Sequence, residues 1–296
     1  MGKQSDAVKS LSGKRALVTG SSLGIGRAVA VRLAAEGAQV VLSARHNDTL
    51  EETVKLIRDA GGETVACVGS VADYGDAGDM VATCVDQFGG IDVLTNCAGI
   101  AEPYGTSIVN IDEADWRELI DVHLHGTFNT CRHAAPLMVQ QGGGTIINTS
   151  SHAFLGIYGG TGYAAGKGGV NSLSYAMATD LGEYGINVNV VCPGAKTRLS
   201  TGDEYEKKIV SLHAKGILSD ERKQSALNPA SPDYVASLYA LLASDLARHV
   251  SGQVFWGSGG YIGRFLENGQ EILTTLDPTS RPPWGIDKLA EALDMS

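Results

Sequence analysis

The chain has 296 residues, 43% hydrophobic and 19% charged, enough to bury a large core as one domain or two. A formal charge of −10 argues against a nucleic-acid partner, which would want a basic face. No apolar run could span a bilayer, Met1–Gly13 lacks a signal-peptide core, and five scattered cysteines suggest neither a disulfide framework nor a zinc site. A cytoplasmic protein with no membrane or metal partner is expected.

Arg15–Thr19 is a short apolar run of strand type that leads into Gly20-Ser21-Ser22-Leu23-Gly24-Ile25-Gly26 and then an amphipathic stretch to Glu36. Strand, glycine turn and helix make a dinucleotide cradle: Gly20 takes the tight turn, Gly24 admits a pyrophosphate, and Gly26 lets helix and strand pack closely. The helix N-terminus offers free N–H groups to the phosphates. Gln39–Ser43 reads as a second, buried strand, and the adenosine ribose belongs at its end. An acidic residue there would select a 2′-hydroxyl; the chain has Ala44, Arg45 and His46, and an arginine can fork onto a 2′-phosphate.

The alternation continues with a helix over 48–60, a strand over 64–68, a helix over 76–88 and a strand over 92–95 that runs into Asn96-Cys97-Ala98-Gly99. The pattern implies parallel strands joined by right-handed crossovers. A helical pattern covers 112–140, and the buried strand 145–148 delivers Ser150 and Ser151 at its C-terminal end, where a hydroxyl could hold a substrate oxygen.

A long helix is expected over 161–183. Tyr163 is the only one of the ten tyrosines with a lysine, Lys167, four residues later. On a helix the two share a face, and a nearby cation lowers a phenol's pKa, so the pair is a candidate acid–base unit. Gly166, Gly168 and Gly169 weaken this helix and make sense if a neighbouring subunit or a cofactor packs tightly against it. A sixth strand over 187–191 precedes Pro193-Gly194-Ala195-Lys196-Thr197, and the polar, irregular stretch at about 198–230 reads as a mobile flap over a substrate. A helix from Ser231 and a last strand near 253–255 follow. The tail 263–296, with Pro278, Pro282, Pro283 and Trp284, is too short for a domain and could dock on a neighbouring subunit.

Thr19-Gly-x-x-x-Gly-x-Gly26, Asn96-x-Ala-Gly99, Ser151, Tyr163-x-x-x-Lys167 and Pro193-Gly194 together resemble the classical short-chain dehydrogenases/reductases over roughly residues 10–262. The resemblance implies an α/β fold: one Rossmann-type, doubly wound domain over 14–262, with a seven-stranded parallel sheet and helices on both faces. It implies hydride transfer between a nicotinamide and a carbonyl or secondary alcohol. Tyr163 would be the acid/base, Lys167 would bind the nicotinamide ribose and lower the tyrosine pKa, and Ser151 would orient the substrate oxygen. Ser70 and Val71 would flank the adenine, Asn96, Ala98 and Gly99 the ribose, and Pro193, Gly194, Ala195 and Thr197 would also bind the cofactor. With Arg45, NADP is the expected cofactor. The family pairs as homodimers or homotetramers through the helices at 112–140 and 161–183.

The chain departs from the family pattern at four places. His123 stands where an asparagine supports a proton-relay water, and is taken to replace it. Ser70 stands for an aspartate. The Ser151–Tyr163 loop is one residue short, which leaves Ser150 as an alternative serine, and Thr197 comes one residue early. Two other readings remain: a catalytically silent dinucleotide sensor or scaffold, favoured only by His123, and an epimerase of this fold. Trp284-Gly-Ile-Asp-Lys-Leu resembles the ends of relatives acting on acyl thioesters or steroids.

Overall fold

In a computed structural model of the chain, residues 9–158 and 160–266 are described. The first half alternates strand and helix: β1 Arg15–Thr19, α1 Gly24–Ala35, β2 Gln39–Ala44, α2 Asn47–Asp59, β3 Thr64–Val68, α3 Tyr74–Phe88 and β4 Val93–Asn96. The second half holds α4 Glu113–Ile120, α5 Gly126–Gln141, β5 Gly144–Thr149, α6 Gly162–Leu181 and β6 Ile186–Gly194. There follow α7 Asp203–Ala214, α8 Asp220–Leu227, α9 Pro232–Ala243, β7 Val254–Ser258 and β8 Tyr261–Arg264.

The strands form one sheet in the order β3-β2-β1-β4-β5-β6-β7-β8. β1 to β7 are parallel, as expected. The expected seven strands become eight, because the turn at Gly259-Gly260 returns the chain as β8, antiparallel to β7. The alternation that defines a strand sorts the sheet's side chains onto two faces. Ala16, Val18, Val40 and Leu42 pack toward α1, α2 and α9; Leu17, Val41, Leu94 and Ile146 pack toward α3 and α5. Connections from β1 and β4 leave toward opposite faces, so the strand order reverses there and a crevice opens at their C-terminal ends.

Two expectations about helices are refined. The helix expected over 112–140 is continuous but widens into a π turn at Asp121–His125, between α4 and α5, with helical backbone on both sides. Thr127 Oγ1 donates to the carbonyl of His123 at 2.8 Å, which satisfies an acceptor in the widened turn. The expected flap is not irregular, because it folds into α7 and α8. Each begins with acidic residues in its first turn, and Ser219 caps α8. The tail motif around Trp284 lies outside the described residues. Among the described residues no helix is long and apolar enough to cross a membrane, and no cluster of metal-binding side chains occurs.

Candidate active site

The crevice at the β1–β4 switch has a volume of about 210 Å³. Its floor is the turn Gly20–Gly26. Gly20 and Gly24 have φ of +65° and +57°, the left-handed region that favours glycine. A Cβ on Gly20 would lie 2.7 Å from Ala98 Cα, and one on Gly24 would lie 3.3 Å from Thr197 Cγ2. The first turn of α1 has no side-chain cap and no acidic residue. Its N–H groups and dipole are therefore left for an anion, which is the fit a pyrophosphate needs. Arg27 Nε donates to the carbonyl of Ser22 at 2.8 Å and fixes the turn from behind. Arg45 and Ser70 line the far end. Arg45 is exposed, and its guanidinium lies 3.9 Å from Glu118 of α4.

Beside the crevice, β5 and α6 bring Ser151, Tyr163 and Lys167 together. Lys167 is buried, and its Nζ donates to the carbonyl of Thr149 at 2.8 Å, 5.7 Å from the centre of the Tyr163 ring. Burial pulls the ammonium down to a pKa of about 8. Burial also pushes the Tyr163 phenol above its ordinary value, with a hydrogen bond to Ser151 pulling back. Burial sets the direction for the phenol, and Ser151, not Lys167, is the group that pulls it back; the Lys167 ammonium faces the carbonyl of Thr149. The two serines separate clearly. Ser150 is buried and its hydroxyl donates to the carbonyl of Lys167 at 3.0 Å, whereas Ser151 faces Tyr163.

His123 is buried against this group. Its ring meets that of Tyr163 edge-on at 4.9 Å. Nε2 lies 3.0 Å from the carbonyl of Ile100, so Nε2 carries the proton and donates. Nδ1 is buried and has no hydrogen-bond partner among the described residues. A Cβ on Gly99 would lie 3.3 Å from Nδ1 and 3.9 Å from Lys167 Nζ, so both nitrogens border one point beside Gly99. Burial, and then the Lys167 charge, push the imidazole down to a pKa of about 2. It is neutral at pH 7.

Several expected cofactor contacts point elsewhere. Ser21 is buried and its hydroxyl accepts from the N–H of Ser43 at 2.9 Å, tying β1 to β2. Asn96 is buried too: its amide donates to Asn148 at 2.9 Å and its carbonyl accepts from Thr130 at 2.7 Å, tying β4 to β5 and α5. Neither lines the crevice, whereas Ser22, Leu23, Ile25, Ala44, Val71, Ala98, Gly99 and Thr197 do. Pro193, Gly194 and Ala195 also lie outside its lining, at the end of β6, where a Cβ on Gly194 would run into Ser258. Cys97, Ile100, Val122 and Arg198 line it unanticipated. Cys97 had a sequence cue in its place inside the Asn96–Gly99 motif, Val122 in standing beside His123, and Arg198 in opening the 198–230 stretch. The 198–230 stretch reaches the loop between β5 and α6: the charge of Arg222 on α8 acts on both His152 and Tyr158.

The profile of the short chain dehydrogenase family matches residues 14–207. The hydroxyacyl-CoA dehydrogenase ChsB1 of Mycobacterium tuberculosis is 37% identical over 259 residues, 83% of this chain and 77% of that protein. The 3-oxoacyl-[acyl-carrier-protein] reductase FabG of Staphylococcus aureus is 37% identical over 257 residues, 83% of this chain and 97% of that one. A crystal structure of a short chain dehydrogenase from Mycobacterium avium matches with a TM-score of 0.77 at 32% identity, covering 96% of this chain and 94% of that chain.

Proposed function

The chain belongs to the short-chain dehydrogenase family and is an oxidoreductase, and from that premise we propose that it is an NADP-dependent reductase of 3-oxoacyl thioesters, or a dehydrogenase of the matching 3-hydroxyacyl thioesters. One observation carries the reading: Ser151, Tyr163 and Lys167 converge beside a crevice whose glycine turn leaves an uncapped helix end for a pyrophosphate. The names of the relatives support the thioester class. Held in the crevice, NADPH would supply the hydride for reduction and NADP+ would take it up in the reverse direction.

Ser151 donates a hydrogen bond to the substrate carbonyl oxygen. Tyr163, protonated at neutral pH because burial raises its pKa, gives its proton to that oxygen as charge develops there. Lys167, whose Nζ lies 5.7 Å from the centre of the Tyr163 ring, would hold the nicotinamide ribose and supply positive charge near the proton donor. His123 takes the place of the family's relay asparagine as a neutral acceptor, its free Nδ1 receiving a donor beside Lys167. The working form is a cytoplasmic homodimer or homotetramer pairing through α4, α5 and α6, where Phe128 is exposed.

Arg45 favours the 2′-phosphate of NADP, and Glu118 beside it tempers the preference. A hydrogen bond to a charged group is worth ~1.5–3 kcal/mol, so the preference over NAD is about 10- to 150-fold. The test follows nicotinamide absorbance with 3-oxoacyl thioesters and simple ketones, using NADPH and NADH. Thioester turnover favouring NADPH, reversed in Arg45→Asp, is expected. Equal use of both cofactors removes the NADP assignment, and turnover of simple ketones alone removes the thioester assignment.

A further inference from the structure

Glu102 lies in the loop after β4, about sixty residues before α6, yet its carboxylate closes the first turn of that helix. Oε1 accepts from the N–H of Thr161 at 2.7 Å and of Gly162 at 3.3 Å; Oε2 accepts from the N–H of Tyr163 at 3.0 Å. A helix start has N–H groups that no carbonyl of the helix can reach. The residue at the cap position, Thr161, makes no side-chain cap, and the first turn of α6 has no acidic residue. Glu102 therefore does from a distant loop what a local cap does elsewhere, and its charge suits the positive end of the helix. The loop is braced in turn: Thr106 Oγ1 donates to Oε1 at 3.1 Å. Gly160 makes room, because a Cβ there would lie 2.5 Å from Oε2, and its φ of +85° already favours glycine.

We infer that Glu102 is a positioning residue, whose carboxylate clamps the backbone of Tyr163 to the loop that walls the crevice and so sets where the phenol meets the substrate oxygen. The inference rests on the acid–base role proposed for Tyr163. The same loop begins at Ala98, Gly99 and Ile100, which line the crevice. One carboxylate thus links the cofactor side of the site to the proton donor. The clamp also faces the flap: burial holds the Lys208 ammonium of α7 below its ordinary pKa, and the Glu102 charge draws it back up.

Glu102→Gln keeps the size of the side chain but has a single acceptor oxygen, so its NH2 faces one of the N–H groups that the carboxylate held. Amide hydrogen exchange across 160–166 in the whole protein reads the clamp without any substrate, and about tenfold faster exchange is expected there. In turnover of a 3-oxoacyl thioester, kcat falls by about tenfold or more, because small misplacements of a reacting group are costly. The deuterium isotope effect from labelled NADPH rises as the chemical step slows, which a mere loss of folded protein does not produce. NADPH affinity stays within about twofold, since the crevice is left whole.

Unchanged exchange in Glu102→Gln overturns the clamp whether or not the wild type reduces thioesters. Faster exchange with wild-type kcat and isotope effect overturns the positioning role. A wild type that turns over no carbonyl substrate counts against the proposed function, and the exchange result still decides the clamp. If Glu102→Gln fails to fold, Glu102→Asp, which keeps the charge one methylene shorter, carries the same readings.

Discussion

His123 shows how one buried side chain changes what a site can do. Its pKa of about 2, set by burial and then by Lys167, makes it a neutral acceptor and donor, not an acid at physiological pH. The kcat profile should therefore carry no His123 step between about pH 5 and 8. His123→Asn should stay active, whereas His123→Leu, which offers Nδ1 no replacement, should be slow with NADPH still bound. The folded pKa lies below the unfolded value of ~6.5, so the histidine destabilises the fold increasingly as pH falls below that value. His123→Asn should flatten the stability curve there. A kcat step near pH 6.5 that vanishes in both variants would show that His123 is protonated during turnover.

Elements were legible where their cause is local. β1 to β7 and the strand–glycine turn–helix order follow from short-range pattern and lie where they were expected, whereas β8 was not expected. The π turn and the Glu102 clamp were not legible, because each depends on side chains that only the folded chain brings together. The α6 glycines fall between these cases. Their need for a close neighbour was readable; the neighbour was not. For Gly166 and Gly169 it is the chain's own π turn: Cβ atoms there would lie 3.0 Å from His123 Cβ and 2.9 Å from Leu124 Cδ2. A Cβ on Gly168 would meet nothing within 4 Å among the described residues. Gly168→Ala should then stabilise by about 0.5–1 kcal/mol, roughly 1–4 °C in Tm. Gly166→Ala should lower both Tm and kcat, because the buried His123 has no room to withdraw. Thermal melts of both variants check this, and a loss at Gly168 would place another body against that face of α6.

At the scale of the molecule, stability and chemistry sit at opposite edges of the sheet. At the N-terminal edge, Asp92 accepts from Arg15 Nε at 2.7 Å, Nη2 at 2.8 Å and the backbone N–H at 2.8 Å. Burial raises the carboxyl pKa, but these bonds outweigh it and leave it below 3.8. A depressed carboxylate contributes stability that is present above its unfolded pKa and lost as pH falls through the folded one. Asp92→Asn should therefore lose about 1–3 kcal/mol at neutral pH, melt with a shallower acid dependence below pH ~4, and keep wild-type kcat. At the C-terminal edge, the central claim is that Tyr163 moves the proton while the glycine turn holds the dinucleotide. The direct measurement is Tyr163→Phe, with NADPH binding and thioester turnover followed on one preparation. NADPH affinity within about twofold of wild type and kcat reduced by at least ~10²-fold are predicted. Retained turnover, or loss of NADPH binding together with activity, would contradict the account.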